Sequence, residues 1–214
     1  MKWCVVAVCL FAALFAVRTP AAADWVASEA AFTAQLAPGY YLEEFNQHPW
    51  TTDAPILFPQ LLSQGSWSYV VSADGALKGA PSSSGWGYVS TISENDYILV
   101  VFNDPKPTAV GGWFFVTDSS GAPTPGRLTV HLSNGQTLEV TANEYQTFTG
   151  YIGADALEWM EISLPGGGAG DEEWRALDHL YVGYQNTGVT PEPASVALLG
   201  VGLALAARRR KRRA

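Results

Sequence analysis

Three carboxylates, Glu43, Glu44 and Asp178, have the types and placement to hold a calcium ion, which takes hard oxygen ligands from carboxylates and carbonyls. Asp178 shares the parity of Leu180 and Val182, so the pattern puts it on the core side of its strand, where a lone charge is costly. Glu43 or Glu44 on an early strand is positioned to meet it. Hydrogen bonding to the loop end is the commoner use of such an aspartate. Two tryptophans, Trp113 and Trp159, suit a different chemistry, the stacking of a glycan. Trp159 alternates against Met160, Ile162 and Leu164, which points it outward. Trp113 shares a face with Phe115 on an apolar strand, and aromatics in a sandwich more often fill the core.

Catalytic arrangements are missing from the pattern. His48, His131 and His179 are not at ligand spacing, and neither His-x-x-x-His nor Gly-x-Ser-x-Gly occurs. His131, between Val130 and Leu132, and His179, of opposite parity to Leu180, are both expected to face solvent. A glycosidase needs two acids across a bond, ~5–9 Å apart. Glu158 and Glu161, three apart on a strand, point to opposite faces, as do Glu43 and Glu44. The Gly166–Gly170 run does not lead from a strand into a Lys-bearing helix and is no phosphate cradle. The expectation is a protein that is not an enzyme.

The elements that would position these groups follow from period-two patterning. Ten strands are predicted: 40–46, 66–72, 86–92, 96–102, 109–117, 127–133, 136–142, 147–152, 157–164 and 177–184. Asn134-Gly135 marks a two-residue hairpin turn that needs positive φ. Ala-rich residues 25–36 read as a helix. Ten short strands without intervening helices imply an all-β fold, an antiparallel sandwich of jelly-roll type.

The ends differ from this body. Lys2, an apolar run from Cys4 to Val17 and Ala21-Ala22-Ala23 describe a secretory signal peptide over residues 1–23. Both cysteines, Cys4 and Cys9, fall inside it, so the mature chain is expected to lack thiols and disulfides. The sandwich domain is assigned to 24–190 and a third segment to 191–214. There Pro191, Glu192 and Pro193 precede a 14-residue apolar stretch, Ala194 to Ala207, and six consecutive cations. As a helix that stretch is about 21 Å long, short of a ~30 Å hydrocarbon core. The cations fix its end in the cytoplasm and leave the body outside. With four cations against nineteen acids, residues 24–190 carry a net charge of −15, which excludes electrostatic binding to nucleic acid.

Pro191-Glu192-Pro193, the apolar helix and the Arg cluster resemble the PEP-CTERM sorting signal of Gram-negative bacteria. The resemblance implies signal peptidase and an exosortase as processing partners, transient insertion in the inner membrane, and delivery to the cell surface or extracellular matrix. It also implies exopolysaccharide and biofilm as the setting. The strand Ala109-Val-Gly-Gly, the segment Phe148-Thr-Gly and the closing Leu177-Asp-His-Leu resemble a sandwich domain common in such proteins, with His179 where Asn is usual. The expected function is a non-catalytic envelope or matrix protein. A calcium-stabilised carbohydrate-binding module is the first alternative and a polysaccharide hydrolase or lyase the second.

Overall fold

The computed structural model describes residues 23–46, 55–81, 87–143, 147–165 and 173–187. Most of the expected signal peptide, His48 and the whole 191–214 segment with Pro191, Glu192 and Pro193 therefore lie outside the described residues. Among the described residues, no helix is long and apolar enough to cross a membrane.

In chain order the strands are β1 (Asp24–Val26), β2 (Tyr41–Glu43), β3 (Pro55–Ile56), β4 (Gln60–Gln64), β5 (Trp67–Ala73), β6 (Leu77–Pro81), β7 (Gly87–Thr91) and β8 (Ile98–Phe102). They continue with β9 (Ala109–Thr117), β10 (Pro123–Thr124), β11 (Gly126–Leu132), β12 (Thr137–Ala142), β13 (Thr147–Ile152), β14 (Trp159–Ser163) and β15 (Trp174–Gly183). Two antiparallel sheets form a β-sandwich, as the patterning predicts. The first has the order β1-β13-β9-β15-β7-β6-β3, with β10 paired to β9 and β2 to β15. The second has the order β12-β11-β14-β8-β5-β4. From β5 onward the chain alternates between sheets, a single strand or a hairpin at a time. Side chains of both inner faces, among them Val110, Phe114 and Leu177 from one and Val100, Val130 and Ile162 from the other, make one core cluster.

Two predicted local features come out differently. Residues 25–36 are not one helix. Asp24–Val26 pairs with β13, Ser28 caps a helix start, and only Glu29–Thr33 (α1) is helical. The hairpin after β11 uses a turn closed by the Gly135 N–H on the Leu132 carbonyl (2.9 Å), with only Gly135 (φ 84°) left-handed, followed by Leu132 N–H to Gln136 O (2.9 Å). That is a three-residue loop with a glycine bulge rather than the two-residue turn.

Phe32 anchors helix α1 to the first sheet. Gly111 on β9 and Gly150 on β13 are direct cross-strand partners on the outer face of the first sheet. Phe32, fully buried, lies over both. A Cβ on Gly150 would overlap its ring, and one on Gly111 would come within 3.1 Å. Two of the three family-like motifs thus contribute a glycine to one socket, walled by Phe148 and Tyr181, whose ring centroids lie 5.6 and 6.0 Å from Phe32. Phe32→Ala is expected to cost ~3–5 kcal/mol in denaturant unfolding, and Gly150→Ala ~1–3 kcal/mol. The double variant should cost less than the sum, because without the ring the added methyl has room; strict additivity would refute the socket.

Candidate functional site

The centre of the first sheet is β15, which changes partners midway. Its first half bonds β7, with Ala176 opposite Ser90 and Leu177 opposite Val89. Its second half bonds β2, with Leu180 opposite Glu43 and Val182 opposite Tyr41. On its other side the register against β9 slips between Asp178 and Tyr181, so His179 and Leu180 together oppose Gly112. The slip resets the alternation: Leu177 points into the core, and so do Leu180 and Val182. Asp178 therefore does not have the core-side parity that the uninterrupted pattern predicts. It sits across from Trp113, which packs with the α1 cluster on the outer face.

His179 occupies the bulge at φ 49°, a left-handed conformation uncommon for a residue with a side chain. Asp178 secures it twice. One carboxylate oxygen accepts the His179 backbone N–H (2.7 Å), and the other lies 2.9 Å from Nδ1. Asp178 is fully buried, and the His179 side chain keeps only 20% of its exposure, so the expectation of a solvent-facing histidine is overturned. Hydrogen bonding of the ring to the Asp178 carboxylate raises the imidazole pKa, opposed by burial and reinforced by the charges of Asp178, Glu29 and Glu44. The nearby Tyr181 hydroxyl donates to Glu29, which joins α1 to this centre.

The three acids expected around calcium are not gathered. Glu43 turns toward the sandwich interior, where Oε1 accepts the Phe45 N–H (2.9 Å) and Oε2 accepts the Tyr41 hydroxyl. The Tyr69 hydroxyl from the second sheet stands 3.5 Å from that same oxygen. Burial, then the Glu43 charge, push the Tyr69 hydroxyl well above its ordinary pKa. Glu44 is exposed and meets the Asn46 amide at 3.4 Å. Glu44 lies just past the end of β2, which closes at Glu43. Among the described residues no group of three or more His, Cys, Asp or Glu side chains could hold a metal ion.

The tryptophans part company too. Trp113 is half-buried, its ring edge-on to Phe148 at 5.9 Å, as a wall of the α1 cluster. Trp159 lies on the outer face of the second sheet, alternating with buried Met160 and Ile162. The register sets Leu61, Val70, Val101 and Trp159 side by side across β4, β5, β8 and β14. The next outward row is Ser72, Leu99, Glu161, His131 and Thr137. His131 Nδ1 is 3.1 Å from the Thr137 hydroxyl. An apolar row ending in a tryptophan thus lies beside a row rich in hydrogen-bonding groups. Sequence alternation finds Trp159 on this face; its neighbours come only from strand order.

Residues 189–213 match the family model of the PEP-CTERM protein-sorting motif. The chain is thus an exported protein with an exosortase sorting tail and transient membrane anchorage, carrying an antiparallel β-sandwich. No curated protein matches it. Among solved structures it is similar to the Agl-KA catalytic domain, at 15% identity and a TM-score of 0.32, over 62% of this chain and 28% of that one. It is also similar to a β-1,3-glucan binding CBM6 from Bacillus halodurans, at 13% identity and a TM-score of 0.32, over 68% and 94% of the two chains. The chain spans about 28% of the length of the Agl-KA domain. Likenesses this low transfer neither ligand nor activity.

The Asp178–His179 pair makes stability depend on pH. An unfolded histidine titrates near 6.5, and the folded value is higher. The pair's contribution is therefore complete below about pH 6.5 and is lost as pH rises through the folded value. Thermal melts between about pH 6 and 9, where carboxylates stay ionised, should show a falling Tm. His179→Asn, which tolerates the left-handed backbone, should flatten that slope. An unchanged slope would remove the pair as its cause.

Proposed function

We infer that the protein is an exported, non-catalytic component of the cell envelope or extracellular matrix that contacts exopolysaccharide through the outer face of its second sheet. The observation that carries this reading is Trp159, at the end of the Leu61–Val70–Val101 row and beside Glu161 and His131. A sugar ring has apolar C–H faces and hydroxyl edges. Stacking on the indole with hydrogen bonds from the neighbouring row fits both. The sorting tail supports the setting, since it delivers the body beyond the inner membrane.

Non-catalytic action is favoured over hydrolysis by the surroundings of Glu161, whose cross-strand neighbours are Leu99 and His131 and not a second acid. The calcium-stabilised variant of the binding reading has less support, because Glu43 spends both oxygens on Tyr41 and the Phe45 N–H.

Affinity electrophoresis in exopolysaccharide extracted from the producing cells tests the binding claim. Trp159→Ala should weaken retardation roughly tenfold, the equivalent of ~1.4 kcal/mol, without lowering Tm. Trp113→Ala should lower Tm and leave retardation intact. Equal retardation of wild type and Trp159→Ala, or none for either, would sink the reading. Mass spectrometry of the mature C-terminus checks the sorting step separately: surface-located protein should lack the Arg208–Arg213 cluster, and an intact tail there would refute processing.

A further inference from the structure

Of the six asparagines in the chain, only Asn134 is followed by glycine. That pairing is chemically special, because Gly135 puts no Cβ in the way when its own nitrogen turns on the asparagine side chain. The Gly135 nitrogen, once it has given its proton to solvent base, can attack Cγ of Asn134 and form a C–N bond. The Cγ–Nδ2 bond then breaks, and the amide nitrogen takes up a proton and leaves as ammonia. A succinimide remains. Water opens it at Cγ to give aspartate, or at the main-chain carbonyl to give isoaspartate. Water is the only co-reactant, nothing is oxidised or reduced, and either product carries one more negative charge.

The fold holds each reacting group away from that geometry. The Gly135 N–H donates to the Leu132 carbonyl (2.9 Å) and so points along the turn. The Asn134 amide is held at both of its polar atoms. Nδ2 donates to the Tyr151 hydroxyl (2.8 Å), and Oδ1 accepts the Gln136 N–H (3.2 Å). The second bond fixes the first, since a main-chain N–H needs the oxygen of the amide and thereby turns the nitrogen toward Tyr151. Asn134 is accordingly half-buried, although Gly135, Gln136 and Thr137 after it are exposed. Its anchor belongs to the other sheet. Tyr151 lies on β13 and is 1% exposed, with its ring edge-on to Trp25 at 5.4 Å. Its hydroxyl lies over Gly153, where a Cβ would overlap it.

We propose that Asn134 is a deamidation site that the hydrogen bond to Tyr151 keeps closed while the two sheets stay packed. The reaction requires the hairpin tip to lift off the first sheet, which frees the amide to meet the Gly135 nitrogen. Tyr151 is a positioning residue here, since it touches the side-chain amide and takes no part in the bond changes. Isoaspartate routes the main chain through the side-chain methylene, just where the β11–β12 ladder closes at His131 and Thr137. The inference does not depend on the glycan reading, because it concerns the chemistry of the turn and not Trp159.

Peptide mapping by mass spectrometry, on the exported, processed protein incubated in mildly alkaline buffer, tests it. Folded wild type should keep Asn134 as the amide long after the same protein in urea has converted to aspartate and isoaspartate. Tyr151→Phe keeps the ring and loses only the hydroxyl. While still folded it should convert about fivefold faster than wild type, the factor that one hydrogen bond of ordinary strength supplies. Phe32→Ala weakens the fold on the outer face of the first sheet and leaves the Asn134–Tyr151 contact alone. Under conditions where it remains folded, it should convert at nearly the wild-type rate. Folded wild type reacting as fast as the chain in urea, Tyr151→Phe reacting no faster than wild type, or Phe32→Ala matching Tyr151→Phe would each overturn the proposal.

Discussion

One strand has to satisfy more partners than an uninterrupted β-ladder allows, and much of the first sheet follows from how it does so. β15 spans Trp174 to Gly183 and bonds β9 along one side, while the other side is shared between β7 and β2. A single inserted residue reconciles the two halves. Gly112 makes the insertion feasible, because a Cβ there would come within 2.8 Å of Leu177 Cδ1 and 3.4 Å of the Asp178 carbonyl. Phe45 takes a left-handed conformation (φ 51°) just after β2, and the glycine at position 87 accommodates its carbonyl at the start of β7. Two strands thereby meet end to end along β15.

The bulge also explains why a buried carboxylate is tolerated there. Asp178 has no exposure, yet its oxygens bond the main chain and the ring of the next residue. A charge removed from water is costly unless it is paired and hydrogen-bonded, and here one neighbour supplies both. Arg175, three residues earlier, meets the same demand only in part, since its Nε has no hydrogen-bond partner among the described residues. It is 2% exposed, donates to the Ser93 carbonyl at 3.0 Å and shares its surroundings with Asp96, so it ties β15 to the turn that carries the chain from β7 into the second sheet. Burial lowers the guanidinium pKa while Asp96, Glu94 and Glu173 oppose that loss. Asp178 and Arg175 thus sit where the chain changes partner or changes sheet.

Function divides along similar lines. The sorting motif of residues 189–213 is a linear feature of the sequence. Binding, by contrast, depends on which strands lie side by side. Leu61 and Trp159 are nearly a hundred positions apart in sequence and share one row of the second sheet. That row has aliphatic residues at one end and an indole with polar neighbours at the other.

Alternation by itself found the sandwich. Strands β9 and β13 were legible to the residue. Trp159 was legible as outward-facing, since β14 alternates without interruption. The sorting tail and the acidic charge of residues 24–190 were also matters of sequence, being properties of composition and order. Strands β1, β3, β4, β6 and β10 were not found; several are only two or three residues long and owe their existence to a neighbour's free edge. The Asp178 assignment failed because a single inserted residue inverts parity, and nothing local to Leu-Asp-His-Leu announces the insertion. The two glycines opposite one another under Phe32 read as motif letters until strand pairing makes them a socket. Local pattern fixes which side of a strand a residue faces, but only the packed sheets decide what it finds there, because partner and register are set by contacts between residues far apart in the chain.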